Sequence, residues 1–333
     1  MSEQVFWNTA VSMGTTAPSQ LRVCTFKGLQ NLPLLVARQQ GFFARQSLDV
    51  EIEYTTGSLP QLAGLVHGAY QLIQTAPDNV VNVNNNPSAF GLDPATTPPI
   101  RMLFGGSTGP LSVYAQPSMA RFDDIRGAVL GVDNPGSGFA LVLRDMLARH
   151  GLELERDYTF IVAGGTSARL DALRRGSIAA TILYMPFDLM AAEAGFHRLA
   201  TSTDYYAAYA SLATAGTQVW IEAHADSVVR YLVALRQALR WIYDPMQVAA
   251  VQAMIGQELT PGTAPALAAR AYGAFVDPVA GFGADGLLDE TSLQHVIDLR
   301  VAYGTPPRPH GTPAAYQDLR WYHQADEQLQ WFQ

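Results

Sequence analysis

The feature that most restricts the fold of this chain is a unit of about 30 residues that recurs through its first two thirds. In each unit a short apolar or alternating strand is followed by a loop of small residues and then by a helix. Strands that alternate with helices need crossover connections, which favour mainly parallel sheets flanked by helices. The pattern therefore predicts an α/β fold, with strands at 21–25, 48–54, 70–75, 101–104, 129–132, 158–162 and 178–184. Residues 82–99 contain four Asn and four Pro, which is typical of a loop.

The loops that leave these strands are rich in glycine, serine and threonine. In an open α/β sheet, ligands bind beyond the carboxyl ends of the strands, at the N-termini of the following helices. Small residues let the backbone approach a ligand there, and free N–H groups together with the helix dipole favour an anion. Several such loops predict a shared cleft for a carboxylate, sulfonate or phosphate, formed by residues 27–28, 57–58, 106–108, 136–138 and 164–167.

The charge and hydropathy of the chain argue against several classes of function. Of its 333 residues 48% are hydrophobic and 15% are charged, so a large core can be buried. The net charge of −8 with scattered Lys and Arg argues against a nucleic-acid partner. No apolar run approaches the ~18–20 residues of a membrane span, so no membrane insertion is expected. The first twenty residues lack a basic segment followed by an apolar one, so no secretory signal is predicted.

Four stretches covering roughly residues 21–200 carry a family resemblance. They are LRVCTFKGLQNLPLLVARQQGFFARQSLDVEIEY, TTGSLPQLAGLVHGAYQLIQTAPDNVV, FDDIRGAVLGVDNPGSGFALVLRDMLARHGL and GGTSARLDALRRGSIAATILYMPFDLMAAEAGFHRLA. These stretches resemble the substrate-binding proteins of ABC transporters for nitrate, sulfonates, taurine and thiamine-pyrimidine precursors, the SsuA/THI5-like (NMT1-like) group. The resemblance implies a two-lobed periplasmic-binding-protein fold of type II, in which each lobe is a mixed, mainly parallel sheet flanked by helices and the ligand lies between the lobes.

The resemblance also implies a division of the chain and a set of ligand contacts. Lobe I is expected from residues 21–110 plus 215–300 and lobe II from 111–214. Residues 1–20 form an N-terminal extension, and residues 301–333 form a tail and a helix that packs on lobe I. The positions that match the family's ligand contacts are Phe26, Lys27, Gly57, Ser58, Asp78, Asn79, Ser107, Ser137, Thr166 and the run Pro186, Phe187, Asp188.

Three further hypotheses come from the residues around these loops. Lys27 and Arg169 are candidates for neutralising an anion, although Arg169 is also compatible with a solvated helix face. Asp188 either caps the helix that follows it or contacts the ligand. An apolar wall of the pocket is expected from aromatic side chains, which also suit ordinary core packing, namely Tyr184, Phe187, Tyr205, Tyr206 and Tyr209.

Two residues are candidates for catalysis if the protein is an enzyme. Cys24 ends the first predicted strand and would need a partner that lowers its pKa to act as a nucleophile, whereas an inert buried cysteine is the simpler interpretation. His67 lies at the end of a predicted helix, where capping is the alternative. The remaining histidines show no metal-binding spacing, so no metal site is predicted. Residues 136–138 match neither a Walker loop nor a GxGxxG fingerprint, and no cofactor is expected.

The sequence leaves the function divided between two classes. The first is a solute-binding protein of an ABC-type uptake system, which binds a small organic anion (a sulfonate, a carboxylate or an aromatic acid) and delivers it to an ABC permease. The alternative is a cytoplasmic enzyme on the same fold, of the desulfinase, decarboxylase or other lyase or hydrolase type, and a cytosolic sensor is a third interpretation. The resemblance implies a periplasmic location, whereas the absence of a predicted signal favours the cytoplasm.

Overall fold

Two sheets of five strands each organise the described part of the chain. The structure is a computed structural model that describes residues 18–107, 109–304 and 311–330. Within these ranges the strands are β1 (Ser19–Thr25), β2 (Leu48–Tyr54), β3 (Leu72–Thr75), β4 (Ile100–Ser107), β5 (Ser112–Ala115), β6 (Ala128–Val132), β7 (Tyr158–Val162), β8 (Ala180–Leu183), β9 (His197–Thr201) and β10 (Leu212–Thr217).

The chain crosses twice between the sheets. The first sheet has the order β2-β1-β3-β10-β4, with β1 parallel to β2 and β3, and with β10 antiparallel to β3 and β4. The second has the order β7-β6-β8-β5-β9, with β6 parallel to β7 and β8, and with β5 antiparallel to β8 and β9. Each sheet with the helices packed on it forms one lobe, called here the first and the second lobe. The crossings follow β4 and precede β10, so the two lobes share a double connection.

Helices follow most of the parallel strands, as the repeated units predict. They are α1 (Leu32–Gln39), α2 (Phe42–Arg45), α3 (Ser58–Val66), α4 (Pro77–Asn85), α5 (Gly138–Arg149), α6 (Thr166–Arg174), α7 (Phe187–Glu193), α8 (Gln218–Ala223), α9 (Ala225–Tyr243), α10 (Val248–Met254), α11 (Pro265–Phe275), α12 (Glu290–Tyr303) and α13 (Arg320–Gln330). The amphipathic α9 packs with α1 and α13, because its apolar side chains are buried in the core of the first lobe. In the described residues, no helix is long and apolar enough to span a membrane.

The predicted loop at 82–99 is partly wrong, because α4 continues to Asn85. Three valines of α4 are fully buried, and the Asn84 amide donates to the carbonyl of Ile100 at 2.8 Å and accepts from its N–H at 2.9 Å. Burial of the valines and these tertiary hydrogen bonds outweigh the local preference of asparagine for turns.

The residue limits predicted for the lobes remain a prediction. β10 pairs in the first sheet from Leu212 onward, so it crosses the predicted limit between residues 214 and 215. At the C-terminal end, α13 packs on α9, where the Arg236 guanidinium donates to the Tyr322 hydroxyl at 2.5 Å and pairs with Asp326 at 2.8 Å. Residues 1–17, 305–310 and 331–333 of the predicted extension and tail lie outside the described residues.

Candidate functional site

A cleft lies between the two sheets, and together with the open space at its mouth it measures about 630 Å³. Phe26 and Asn79 of the first lobe face Ser137 and Thr166 of the second lobe across it. The cleft is therefore bounded by both halves of the molecule.

Four helices begin at the cleft, two from each lobe. The N-cap residues of α3, α4, α5 and α6 are Gly57, Ala76, Ser137 and Gly165, and all four line the cleft. A strand that ends at the cleft is followed at once by a helix, so the topology brings these N-termini together. Each N-terminus presents N–H groups without helical partners and the positive end of a helix dipole. The combined field in the cleft favours a negatively charged ligand.

Arg169 lines the same cleft and is only 1% exposed, so the alternative of a solvated helix face does not hold for it. Its guanidinium donates to neutral acceptors, namely the carbonyls of Ile182 (3.2 and 3.3 Å) and Gly164 (2.9 Å) and the hydroxyl of Thr166 (3.0 Å). The carboxylate oxygen paired with it belongs to Asp133, at 3.7 Å. Burial lowers the pKa of Arg169, and Asp133 opposes this shift. A buried cation with so distant a counter-charge adds to the positive field in the cleft.

Aromatic rings form part of the cleft wall. Phe26, Phe139 and Tyr184 line it, and the rings of Phe139 and Tyr184 meet edge to face with centroids 5.6 Å apart. The Tyr184 hydroxyl donates to the carbonyl of Lys27 at 3.1 Å, which connects the second lobe to the first. These rings suit a ligand with an apolar or aromatic part.

The other members of the predicted aromatic group do not line the cleft. Phe187 packs against Tyr184, with ring centroids 6.1 Å apart. The rings of Tyr205, Tyr206 and Tyr209 contact one another in tilted pairs beside α5 and α12, where they contribute to packing.

Six residues predicted to bind ligand line the cleft, namely Phe26, Gly57, Asn79, Ser137, Thr166 and Tyr184. Ser58 lines an adjoining cavity that shares Asn79 and Ser137 with the cleft.

Lys27 is exposed and lies over the Tyr54 ring at 5.5 Å. Asp78 is buried and paired with Arg300, and Phe187 and Asp188 lie behind Tyr184. Ser107 ends β4, and its side chain lies outside the described residues.

Several lining residues were missed by the sequence reasoning. Asp133, Asn31 and Thr75 line the cleft, and the Asp133 carboxylate accepts from the Ser137 hydroxyl at 2.6 Å. The spacing of Asp133 and Ser137, which flank the loop after β6, is the one local signal that could have indicated Asp133. The position of Asn31 depends on a contact that no local pattern reveals, because its side-chain oxygen accepts a hydrogen bond from the Thr25 hydroxyl at 2.8 Å.

The two candidate catalytic residues do not reach the cleft. Cys24 is fully buried, and burial raises the pKa of its thiol, which is the opposite of what a nucleophile needs. His67 is exposed at the C-terminal end of α3. Among the described residues, no group of three or more His, Cys, Asp or Glu side chains is arranged to hold a metal ion.

Most of the chain matches one protein-family model. Residues 14–256 match the model of the NMT1-like family. The chain belongs to the NMT1-like family. No curated protein matches this NMT1-like chain in sequence.

Solved structures resemble the NMT1-like protein along nearly its whole length. The periplasmic nitrate-binding protein NrtA from Synechocystis PCC 6803 has a TM-score of 0.78 at 14% identity and covers 94% of this chain and 89% of its own. A protein from Bordetella bronchiseptica RB50 has a TM-score of 0.74 at 20% identity, and the match covers 94% of this chain and 99% of that protein. The alkanesulfonate-binding protein SsuA from Xanthomonas axonopodis pv. citri, bound to MOPS, has a TM-score of 0.70 at 17% identity. That match covers 90% of this chain and 99% of the SsuA chain. The predicted two-lobed periplasmic-binding-protein fold is confirmed.

In the NMT1-like protein Asp188 provides a pH-dependent element of stability next to the cleft wall. Burial raises the pKa of its carboxyl to about 6 from 3.8, although the Leu189 N–H donates to it at 2.7 Å. The folded protein therefore holds this proton more tightly than the unfolded chain does. The resulting stabilisation is fully present below pH 3.8 and is lost as the pH rises through about 6.

We expect Asp188→Asn to be more stable than the parent protein at pH 7.5, by up to about 3 kcal/mol. The difference should vanish near pH 4, where Asp188 is protonated and resembles asparagine. Urea unfolding at both pH values measures it. Asp123→Asn is the matched control, since the Asp123 side chain is 69% exposed, and it should leave the pH dependence unchanged. Equal stability of Asp188→Asn and parent at pH 7.5 would contradict the prediction.

Proposed function

We propose that this NMT1-like protein is a solute-binding protein that closes its two lobes around a small organic anion and delivers it to an ABC-type permease. The observation that carries the proposal is the buried Arg169 guanidinium among four helix N-termini. Such an arrangement stabilises a negative charge placed between the lobes and gives no comparable stabilisation to a neutral solute.

The preferred ligand is a sulfonate or carboxylate that carries an apolar or aromatic group. The charged group would face Arg169 and the helix N-termini, and the apolar group would contact Phe26, Phe139 and Tyr184. The proteins of similar fold include a nitrate-binding protein and an alkanesulfonate-binding protein bound to MOPS. The ligands of these two proteins support an anion as ligand, and the aromatic wall in this chain supports an organic one.

The permease and the location belong to the same proposal. Similar folds occur in periplasmic proteins, and a protein that delivers solute to an uptake permease must meet it at the outer face of the inner membrane. The enzyme alternative loses its two candidate catalytic residues, because neither Cys24 nor His67 lines the cleft.

A thermal-shift panel tests the proposal directly. Benzenesulfonate, hexanesulfonate and benzoate are expected to raise the unfolding temperature, whereas benzenesulfonamide and benzamide are the matched neutral controls. At a ligand concentration of roughly 100 times Kd the stabilisation is about 2.7 kcal/mol, which shifts the unfolding midpoint by several degrees. Equal shifts by anions and neutral analogues would exclude a charge-selective cleft.

Native mass spectrometry separates binding from conversion. Protein incubated with a stabilising anion should give a one-to-one complex that releases the anion with unchanged mass. A released molecule of altered mass would exclude a simple binding protein and support the enzyme alternative.

A further inference from the structure

The helix α12 packs against both lobes at once. It contacts α4 of the first lobe and α5 of the second, and Leu293, Val296 and Ile297 of α12 lie in one apolar cluster with side chains of α4 and α5. Near its C-terminal end the Tyr303 hydroxyl donates to the Asp145 carboxylate of α5 at 2.9 Å. α12 is therefore positioned to couple the two lobes beside the cleft.

Arg300 of α12 makes this coupling polar and specific. The guanidinium is 3% exposed, donates through Nε to the Asp78 carboxylate of α4 at 2.8 Å and makes a second bond to the same group through Nη2. Nη2 also donates to the carbonyl of Gly136 at 2.9 Å. One planar side chain thus binds a carboxylate of the first lobe and a backbone carbonyl of the second.

The Gly136 carbonyl lies at the edge of the candidate site. The next residue, Ser137, is the N-cap of α5 and lines the cleft. The lobes also touch here, because a Cβ on Gly138 would lie 2.5 Å from the Cβ of Asp78. Opening the cleft on this side would separate Arg300 from Asp78 or from Gly136.

We propose that Arg300 is a positioning residue, which holds the N-terminus of α5 against α4 and keeps the two lobes together before ligand binds. This proposal rests on the proposed function, because the site that Arg300 holds in place is the proposed anion site. Arg300 lies beside the cleft and lines the adjoining cavity that contains Ser58, rather than the cleft itself. Arg300 affects affinity indirectly: it raises the fraction of ligand-free molecules in which the four helix N-termini already lie together around the cleft, and only these molecules bind the anion well.

Arg300→Lys and Arg300→Met test the proposal in protein without ligand. Lysine keeps the charge beside Asp78 but lacks the planar fork that reaches both acceptors. Spin labels on Val162→Cys of the second lobe and Met246→Cys of the first report the interlobe distance. Both positions are exposed, and Cys24 is fully buried, so the labels go to the introduced cysteines. We expect both Arg300 variants to shift and broaden the distance distribution.

Arg236→Met is the matched control. Arg236 is also buried and paired with a carboxylate, but all its partners lie on α13 of its own lobe. It should lower stability and leave the interlobe distance unchanged. If both Arg300 variants lose stability but keep the parental distance distribution, Arg300 is merely structural and the proposal is overturned. Arg300→Lys keeps the test decisive if Arg300→Met does not fold.

The affinity for benzenesulfonate gives the second readout. If the assembled fraction falls to about one tenth in Arg300→Lys, the apparent Kd rises about tenfold. An unchanged Kd together with a changed distance would overturn the positioning role. Failure of benzenesulfonate and the other panel anions to bind the parent protein would instead count against the proposed function, and the ligand-free distances would still decide the coupling by Arg300.

Discussion

Replacement of Arg169 by methionine is expected to weaken the binding of benzenesulfonate by at least roughly 30-fold. Removing one member of a buried, hydrogen-bonded charge pair costs about 2–5 kcal/mol, and each 1.4 kcal/mol is tenfold in Kd. Arg169 lines the cleft with a carboxylate partner at 3.7 Å, so we expect a bound anion to supply the rest of its counter-charge. Isothermal titration calorimetry with the parent and the variant measures the change.

The loss of affinity in Arg169→Met should come from the missing charge and not from a general loss of stability. Arg236→Met removes a buried arginine of the first lobe that does not line the cleft, so it should lower the unfolding temperature with little change in Kd. In Arg169→Met, affinity for neutral benzenesulfonamide should change far less than affinity for benzenesulfonate. Equal losses for the two ligands would show that Arg169 acts only by supporting the loop at Gly164 and Thr166.

Replacement of Gly138 by alanine is expected to keep the lobes apart. The added methyl group would lie 2.5 Å from the Cβ and 2.7 Å from the Cγ of Asp78, and no flexible chain end can move aside there. Overpacking of this kind costs about 1–3 kcal/mol, which corresponds to a weakening of anion binding by roughly 5- to 150-fold. Small-angle X-ray scattering should show a larger radius of gyration for the variant.

Gly165→Ala is the matched comparison for Gly138→Ala. Gly165 is also a cleft-lining glycine at a helix N-terminus of the second lobe, but a Cβ there meets no atom within 4 Å. Its φ of −62° is open to any residue. This variant should keep the parental radius of gyration. Equal radii for parent and Gly138→Ala would show that the lobes do not need this close approach.

The part of the site that could be predicted from sequence is the part formed by local chain order. A strand, a loop of small residues and a helix determine where Gly57, Ser137 and Thr166 lie, because each loop must leave the same edge of its sheet. Asn79 follows β3 in the same way. The two-lobed fold could be predicted for the same reason, and also because whole segments of the chain resemble the NMT1-like family.

Charged side chains were harder to place, because their partners are chosen by tertiary packing. Lys27 and Arg169 were both candidates for neutralising an anion, yet Lys27 is exposed and its backbone carbonyl accepts a hydrogen bond from Tyr184 of the second lobe. Asp78 was predicted to bind ligand, but its partner is Arg300, 222 residues away. No local pattern connects two such residues. The same holds for Asn84, which pairs with the start of β4.

The equal division of the four helix N-termini between the lobes has an electrostatic consequence for the empty protein. Two positive helix ends of one lobe face two of the other across the cleft, so without an anion these ends repel each other. Arg300 offsets part of that repulsion at one side of the cleft. On the proposed function, an anion in the cleft would change this repulsion to attraction, because it would be a shared counter-ion of both lobes. A membrane partner that recognises the compact form would then distinguish loaded from empty molecules without contacting the solute.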